Sequence, residues 1–139
     1  MLTAPWLDYF TAQSNLISQM PARIQTVSVA QQSASIGATD MSNGSLSAGL
    51  YLIQYYARIT QAATTSSSLE VVFDWTDGGV TPVYTGAAMT GNTTSTFQSG
   101  SLMVEVDALS PIRYSTIYAS VGGTVMEYKL VVVLSEVSA

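Results

Sequence analysis

Apolar residues recur at every second position in short segments between Arg23 and Leu134, and Gly-, Ser- and Thr-rich joints separate the segments. A period of two places alternate side chains on opposite faces of a strand, so the pattern predicts half-buried β-strands. The predicted strands cover residues 23–30, 33–41, 49–60, 68–76, 80–85, 101–108, 112–120 and 124–134. Short strands at this spacing predict an all-β fold, an antiparallel β-sandwich of about eight strands that is jelly-roll-like.

The start of the chain has a helical pattern instead. Trp6, Phe10, Ile17 and Met20 fall on one stripe of an amphipathic helix, which predicts a short N-terminal α-helix. The strands supply apolar faces that can pack on each other, so we expect Trp6, Phe10 and Ile17 to dock into a neighbouring subunit or an underlying shell. The chain is therefore divided into an N-terminal helical docking segment, 1–22, and a β-sandwich domain, 23–139.

Composition excludes several classes of function. The 139 residues include no Cys and no His, which removes disulfides, the usual general base and the common nucleophile systems. Four Lys and Arg residues are scattered against nine Asp and Glu, so no basic patch can neutralise phosphates. No apolar run approaches the roughly 20 residues of a membrane span. We expect a protein that is not an enzyme, holds no cofactor or metal, and binds neither nucleic acid nor membrane.

The segment WTDGG predicts a tight hairpin. If Asp77 and Gly78 form a two-residue type I′ turn, Thr76 pairs with Gly79 and the apolar side chains of both strands stay on one face. Pro82 then places the second strand at a sheet edge.

The segment YASVGGTVMEY predicts a second hairpin, whose turn contains Gly122 and Gly123. A three-residue loop over 121–123 pairs Thr116 with Tyr128 and keeps one apolar face together. The same register pairs Tyr118 with Met126.

Two other interpretations involve carboxylates and aromatic rings. Asp74 and Asp77 could form a glycosidase pair or bind a hard cation, but a turn and a solvated face are favoured. The pair Glu105 and Asp107 also favours a solvated exterior. A glycan could stack on aromatic rings, although a sandwich core is the commoner place for them. The rings considered are those of Trp75, Tyr84, Tyr114 and Tyr118.

Two strands are apolar on both faces. In KLVVVLSEV the alternation places Val131 and Val133 opposite the inner set, and in YLIQYYARI it places Leu52 and Tyr56 opposite Tyr51 and its neighbours. Strands of this kind are buried on both faces. With a charged fraction of 9%, against roughly 25% in ordinary soluble domains, the pattern favours a subunit of an assembly.

The sequence also resembles a family. From about Gln32 onward, QSASIGATDM, AGLYLIQYYARITQAATTSSSLEVVFDWTDGGV and MTGNTTSTFQSGSLMVEVDALSPIRYSTIYASVGGTVMEYKLVVVLSE are similar to small β-rich structural proteins or domains of tailed bacteriophages and prophages, as is WLDYF near the start. The run from YYARITQAATTSSSL to WTDGG is the most specific part. Leu52 departs from the pattern, which leads us to expect Arg there. The resemblance implies a virion component without catalytic residues.

These observations predict a phage virion structural protein that decorates or cements the capsid or a tail or neck component. It would act as a homo-oligomer, with a trimer favoured, and would contact itself and other virion proteins such as the major capsid or tail proteins. Its predicted location is the virion, assembled in the host cytoplasm. Two alternatives stay open: a glycan-recognising tail or adhesin module, and a carboxylate-dependent hydrolase with Asp74 in an open cleft.

Overall fold

The computed structural model describes residues 22–42 and 46–138, which form eight β-strands and no helix. The strands are β1 (Ala22–Gln32), β2 (Thr39–Asp40), β3 (Gly49–Gln61), β4 (Ser66–Asp74), β5 (Val83–Thr85), β6 (Phe97–Val106), β7 (Arg113–Val121) and β8 (Glu127–Ser138). The prediction of an all-β chain is confirmed, and every predicted strand overlaps an observed one. The predicted N-terminal helix, with Trp6, Phe10 and Ile17, lies outside the described residues.

The strands form two four-stranded antiparallel sheets. Sheet A has the order β1-β8-β3-β6, and sheet B has the order β2-β7-β4-β5. β5 therefore lies at an edge, as Pro82 predicted.

The inner faces of the two sheets enclose one hydrophobic core. Alternate residues of β3 and β8 are fully buried, and the inward residues of β4 and β7 pack against them from sheet B. The rings of Tyr55 on β3 and Phe73 on β4 lie 5.4 Å apart and join the two sheets directly. Burial of each large apolar side chain contributes about 1.5 to 3 kcal/mol. The period-two pattern thus has its predicted consequence, two sheets that bury their apolar faces together.

The hairpin after β4 turns one residue later than predicted. Asp77 pairs with Val80 through backbone hydrogen bonds of 2.9 and 3.1 Å, so the two turn residues are Gly78 and Gly79. Their φ angles are 60° and 79°, the left-handed conformation that a type I′ turn requires. Phe73 consequently pairs with Tyr84 rather than with Pro82. The new register differs by an even number of residues, so the predicted apolar face is preserved.

The second predicted hairpin is wrong. β7 belongs to sheet B and β8 to sheet A, so the segment around Gly122 and Gly123 crosses between sheets. Gly122 nevertheless needs to be glycine, because its φ is 129° and an added Cβ would collide with Thr64.

The residues predicted to pair in that hairpin are in contact, but they contact each other across the core and are not neighbours within one sheet. The hydroxyls of Thr116 and Tyr128 lie 2.6 Å apart, and Tyr118 donates to the carbonyl of Met126 at 2.6 Å. Alternation specifies which side chains face one another. It does not distinguish neighbours within a sheet from partners in facing sheets.

Candidate assembly surface

The outer face of sheet A is an almost regular grid of outward side chains. The strand registers align them in rows that run across the sheet. Its members are Thr26 and Ser28 on β1; Lys129, Val131 and Val133 on β8; Leu52, Gln54, Tyr56 and Arg58 on β3; and Phe97, Ser99, Ser101 and Met103 on β6. This set is called the outer face of sheet A below.

Tyr56 lies near the centre of this face. Val131 is its neighbour on one side and Ser99 on the other. The ring of Phe97 stacks on it with centroids 6.0 Å apart, and the Lys129 ammonium lies 5.6 Å from its centroid. A cation at this distance is attracted by the ring quadrupole. The arrangement holds an aromatic side chain in place on an otherwise flat surface.

A shallow hollow of about 250 Å³ opens beside Tyr56. Gln54, Val131 and Val133 line it together with the tyrosine. At the β6 side of the face, Phe97 and Met103 are each 59% exposed. Apolar side chains on this face are therefore set among polar ones, and exposed apolar groups rimmed by polar residues mark interaction sites.

The structure places the predicted interface residues Val131 and Val133 on this face. They lie in successive rows at the centre of the sheet and are half-buried by their neighbours on β1 and β3. Leu52 and Tyr56 also lie on the face that alternation predicted for them. The other predicted docking residues, Trp6, Phe10 and Ile17, are outside the described residues.

Sequence reasoning missed Phe97 and Met103 as surface residues. The predicted strand began at residue 101, whereas β6 begins at Phe97. The preceding run GNTTSTFQSG is polar and Gly-containing, so Phe97 appeared isolated in a loop. The alternation with a period of two could have revealed the longer strand. It extends from the predicted strand back towards the N-terminus through Met103, Ser101, Ser99 and Phe97.

The aromatic residues weighed for glycan stacking belong to the interior instead. Tyr114 is buried in the core, and Trp75, Tyr84 and Tyr118 are partly buried against it. The Tyr84 hydroxyl lies 3.2 Å from that of Tyr55. Burial, and then this hydrogen bond, raise the pKa of Tyr55 above its ordinary range. Among the aromatic ring pairs of the described residues, only the pair of Tyr56 and Phe97 forms a platform that is open to solvent.

Asp74 has a protein partner rather than a solvated face. Its Oδ1 accepts a hydrogen bond from Arg113 Nε at 2.7 Å, and its side chain is 13% exposed. The two residues are direct neighbours on β4 and β7. The interpretation of Asp74 as a freely solvated carboxylate is therefore wrong.

Asp107 binds the glycine turn. Its two carboxylate oxygens accept hydrogen bonds from the N–H groups of Gly78, at 2.9 Å, and Gly79, at 3.0 Å. Successive N–H groups in this conformation form a cradle for an anion. The bond from Gly78, followed by that from Gly79, lowers the pKa of Asp107. Asp77 flanks the same turn, and among residues 22–42 and 46–138 no cluster of three acidic side chains could hold a metal ion.

No protein-family model matches the chain, and no similar sequence is found among curated proteins. Within the described part of the chain, no helix is long and apolar enough to cross a membrane.

Proposed function

We propose that this chain is a non-enzymatic structural protein of a phage virion, which decorates or cements a capsid, tail or neck component as a homo-oligomer, with a trimer favoured. The outer face of sheet A is the contact surface, and the N-terminal segment 1–22 docks on a neighbour. The observation that carries the proposal is the group of apolar side chains at the centre of the outer face of sheet A. Tyr56, Val131 and Val133 occupy the middle of a sheet that has no covering layer among the described residues.

The strand pairing supports a jelly-roll fold. β1 pairs with β8, β2 with β7, β3 with β6 and β4 with β5, all antiparallel. This nested series is what results when one long hairpin of strand pairs is rolled into two sheets. Jelly rolls are common in viral capsid proteins and lectins. Fold alone does not assign a function, so this support is by analogy.

The dimensions of the face suit a subunit contact. Four strands spaced about 4.8 Å apart, each about ten residues long, cover roughly 600 Å². A stable interface of standard size buries roughly 600 to 1,000 Å² on each partner, so this face lies at the lower end of that range. Burial of this face would stabilise the particle by mass action, because an assembled copy is removed from the unfolding equilibrium.

A charge placed on the face tests the proposal. We expect Val131→Asp with Val133→Asp to reduce the oligomer mass, because uncompensated carboxylates would be buried in the contact. The matched control is Ile117→Asp with Ala119→Asp, which places two charges at the same spacing on β7 in sheet B. Light scattering measures the mass of each variant. An unchanged mass for the Val131 and Val133 variant would contradict the proposed surface.

Incorporation tests the virion role separately. Tagged wild-type protein should appear in purified particles at a fixed position in a reconstruction, and the double Asp variant should be lost from them. A protein that forms the same oligomer but never enters a particle would contradict the virion role and leave the self-contact intact.

The Tyr56 and Phe97 pair favours one second candidate, a glycan-recognising tail or adhesin module. Sugar rings stack on exposed aromatic faces, and the hollow beside Tyr56 offers the Gln54 amide for a hydrogen bond. This function predicts that Tyr56→Ala abolishes binding to a glycan array while the oligomer mass is unchanged. If no glycan is bound by the wild-type protein, this candidate is excluded.

A further inference from the structure

The sheet edges of this protein differ sharply in how they are protected. β2 and β5, the edges of sheet B, contain only 2 and 3 residues. β1, one edge of sheet A, is interrupted by two register shifts, and Gln31 beside the second has a φ of 53°. Short length and bulges are the usual protection of edge strands against pairing with another chain.

β6, the other edge of sheet A, has none of these features. It is 10 residues long, and its register with β3 continues without a shift from Phe97 to Val106. Its sequence, FQSGSLMVEV, contains no Pro and no Lys, and its only charge is Glu105 near the end. No hydrogen bond among residues 22–42 and 46–138 joins a backbone group of β6 to any element except β3. An edge of this kind is a template for a further strand.

We propose that β6 pairs antiparallel with β6 of a second copy, so that the two A sheets become one continuous sheet of eight strands. Antiparallel pairing of a strand with itself is two-fold symmetric, which gives the self-complementary contact of a closed dimer. The symmetric pairing also satisfies the unpaired N–H and C=O groups on the free edge of both copies.

The side chains select one register. Phe97, Ser99, Ser101 and Met103 are outward, and side chains opposite each other in a ladder share a face, so the centre of symmetry must be a single residue. Centred on Gly100, the pairing sets Phe97 against Met103 of the second copy, and Ser99 against Ser101. The two outward apolar side chains of β6, each 59% exposed, thus cover each other twice. Sulfur and aromatic rings make favourable contacts.

Neighbouring registers lack this match. A centre at Ser99 sets Phe97 against Ser101, and a centre at Ser101 sets Phe97 against Glu105. Gly100 also suits the central position of this register. On the inner side of the sheet the Tyr55 ring already fills the space next to Gly100, so a Cβ atom there would be crowded. The contact is therefore specific for this sequence and not only for an open edge.

This inference does not rest on the virion role. It uses the edge of sheet A, whose Phe97 and Met103 also belong to the outer face of that sheet. A pairwise contact through β6 can join oligomers that form through Val131 and Val133. Hydrogen exchange at the free edge of β6 reports on the edge pairing alone, and the Val131 and Val133 variants leave that edge unchanged.

Charge exchange tests the pairing and its register in the full-length protein. Phe97→Lys alone sets each introduced ammonium group against Met103 of the other copy, and Met103→Glu alone sets each carboxylate against Phe97 of the other copy. Neither charge has a partner, so each variant should weaken the β6 contact by at least about tenfold. Phe97→Lys with Met103→Glu in the same chain should restore it, because each ammonium then faces a carboxylate of the other copy. Ile117→Lys, at an exposed position of sheet B, is the control and should have no effect.

Sedimentation at several protein concentrations measures the association, and hydrogen exchange measures protection of those β6 amides that point to the free edge and do not donate to β3. We expect that protection to rise with concentration in the wild-type protein and in the double variant, and to be lost in each single variant. Failure of the double variant to recover would overturn the proposed register. Protection of these free-edge amides in dilute monomer would overturn the proposal itself, since the edge would then be covered within a single chain.

Discussion

At the scale of single residues, the turn between β4 and β5 depends on backbone angles that glycine adopts without steric cost. Gly78 and Gly79 both have positive φ, and neither has a neighbour that an added Cβ would touch. The requirement is therefore conformational, since space for a side chain is available. We expect Gly78→Val to destabilise the fold by about 1 kcal/mol or more. Gly78→Asn should cost much less, because Asn tolerates this conformation. Urea unfolding of both variants checks the difference, and equal losses would contradict the explanation.

Asp107 fastens the same turn to the end of β6. Because its pKa is lowered in the folded protein, below the ordinary value of 3.8, the stabilisation is fully present above that value and is lost as the pH falls through the folded pKa. We expect Asp107→Asn to unfold more easily at pH 7 and to show a smaller loss of stability on acidification. Glu105→Gln, an exposed change on the same strand, is the control. A variant at Asp107 whose acid unfolding matches the wild type would contradict this role.

The pair between Asp74 and Arg113 reverses an expectation from the sequence. A solvated carboxylate could be replaced without effect, but Asp74 is mostly buried and bonded to Arg113 across adjacent strands. Arg113 is 42% exposed, so solvent screens the pair. We now expect Asp74→Ala to cost about 1 kcal/mol, and Asp74→Ala combined with Arg113→Ala to cost little more. Thermal unfolding of the single and double variants measures the coupling, and strictly additive losses would contradict it.

At the scale of elements, alternation was a sufficient signal for the existence of every strand but not for the partners of each strand. Tyr118 and Tyr128 illustrate the reason, because their contact across the core satisfies the same apolar pattern as a ladder pair. The turn residues also misled the prediction of strand partners. A Gly-Gly sequence after Val121 suits a hairpin, and the hairpin is excluded because β7 and β8 belong to different sheets.

The tyrosines on the inner faces of β3 and β8 give those strands an alkaline limit. Burial is the main cause that raises the pKa values of Tyr51, Tyr55 and Tyr128. Unfolded tyrosine loses its proton near its ordinary value of 10.0, whereas these side chains retain theirs to higher pH. Their contribution to stability is therefore complete below that pH and is lost as the pH rises through the folded pKa values.

This sign predicts a steep loss of stability in alkali. We expect Tyr55→Phe to lower stability at pH 8 by about 1 kcal/mol, because the bonds to Tyr84 and Gln98 are lost. The same variant should lose less stability than the wild type between pH 9 and 11, since one titrating group is gone. Urea unfolding across that range measures both effects. Parallel curves for variant and wild type would show that Tyr55 does not cause the alkaline loss.

At the scale of the whole molecule, the core and the candidate contact surfaces come from the two sheets. The described residues that are buried and apolar lie between Met41 and Leu134. β1 begins at Ala22 on the edge of sheet A, so the last residue of the proposed docking segment 1–22 already belongs to this strand. The sequence pattern predicted apolar residues on both faces of β3 and β8. It could not predict that β6 forms an open edge, because an open edge depends on the order of the strands in the assembled sheet.

Deletion of residues 1–20 separates folding from docking. The described residues of the two sheets form a hydrophobic core with one another, so we expect the truncated protein to remain folded, with a β-type circular dichroism spectrum and an unfolding temperature within a few degrees of the full-length protein. It should fail to join particles, because Trp6, Phe10 and Ile17 are no longer available to insert into a neighbour, where each could contribute on the order of 2 kcal/mol.

The full-length variant Trp6→Ser with Phe10→Ser and Ile17→Ser is the matched control for chain length and should fail in the same way. If the truncated protein unfolds, the segment belongs to the domain's own core. If it folds and still enters particles normally, attachment depends on the outer face of sheet A and the β6 edge alone.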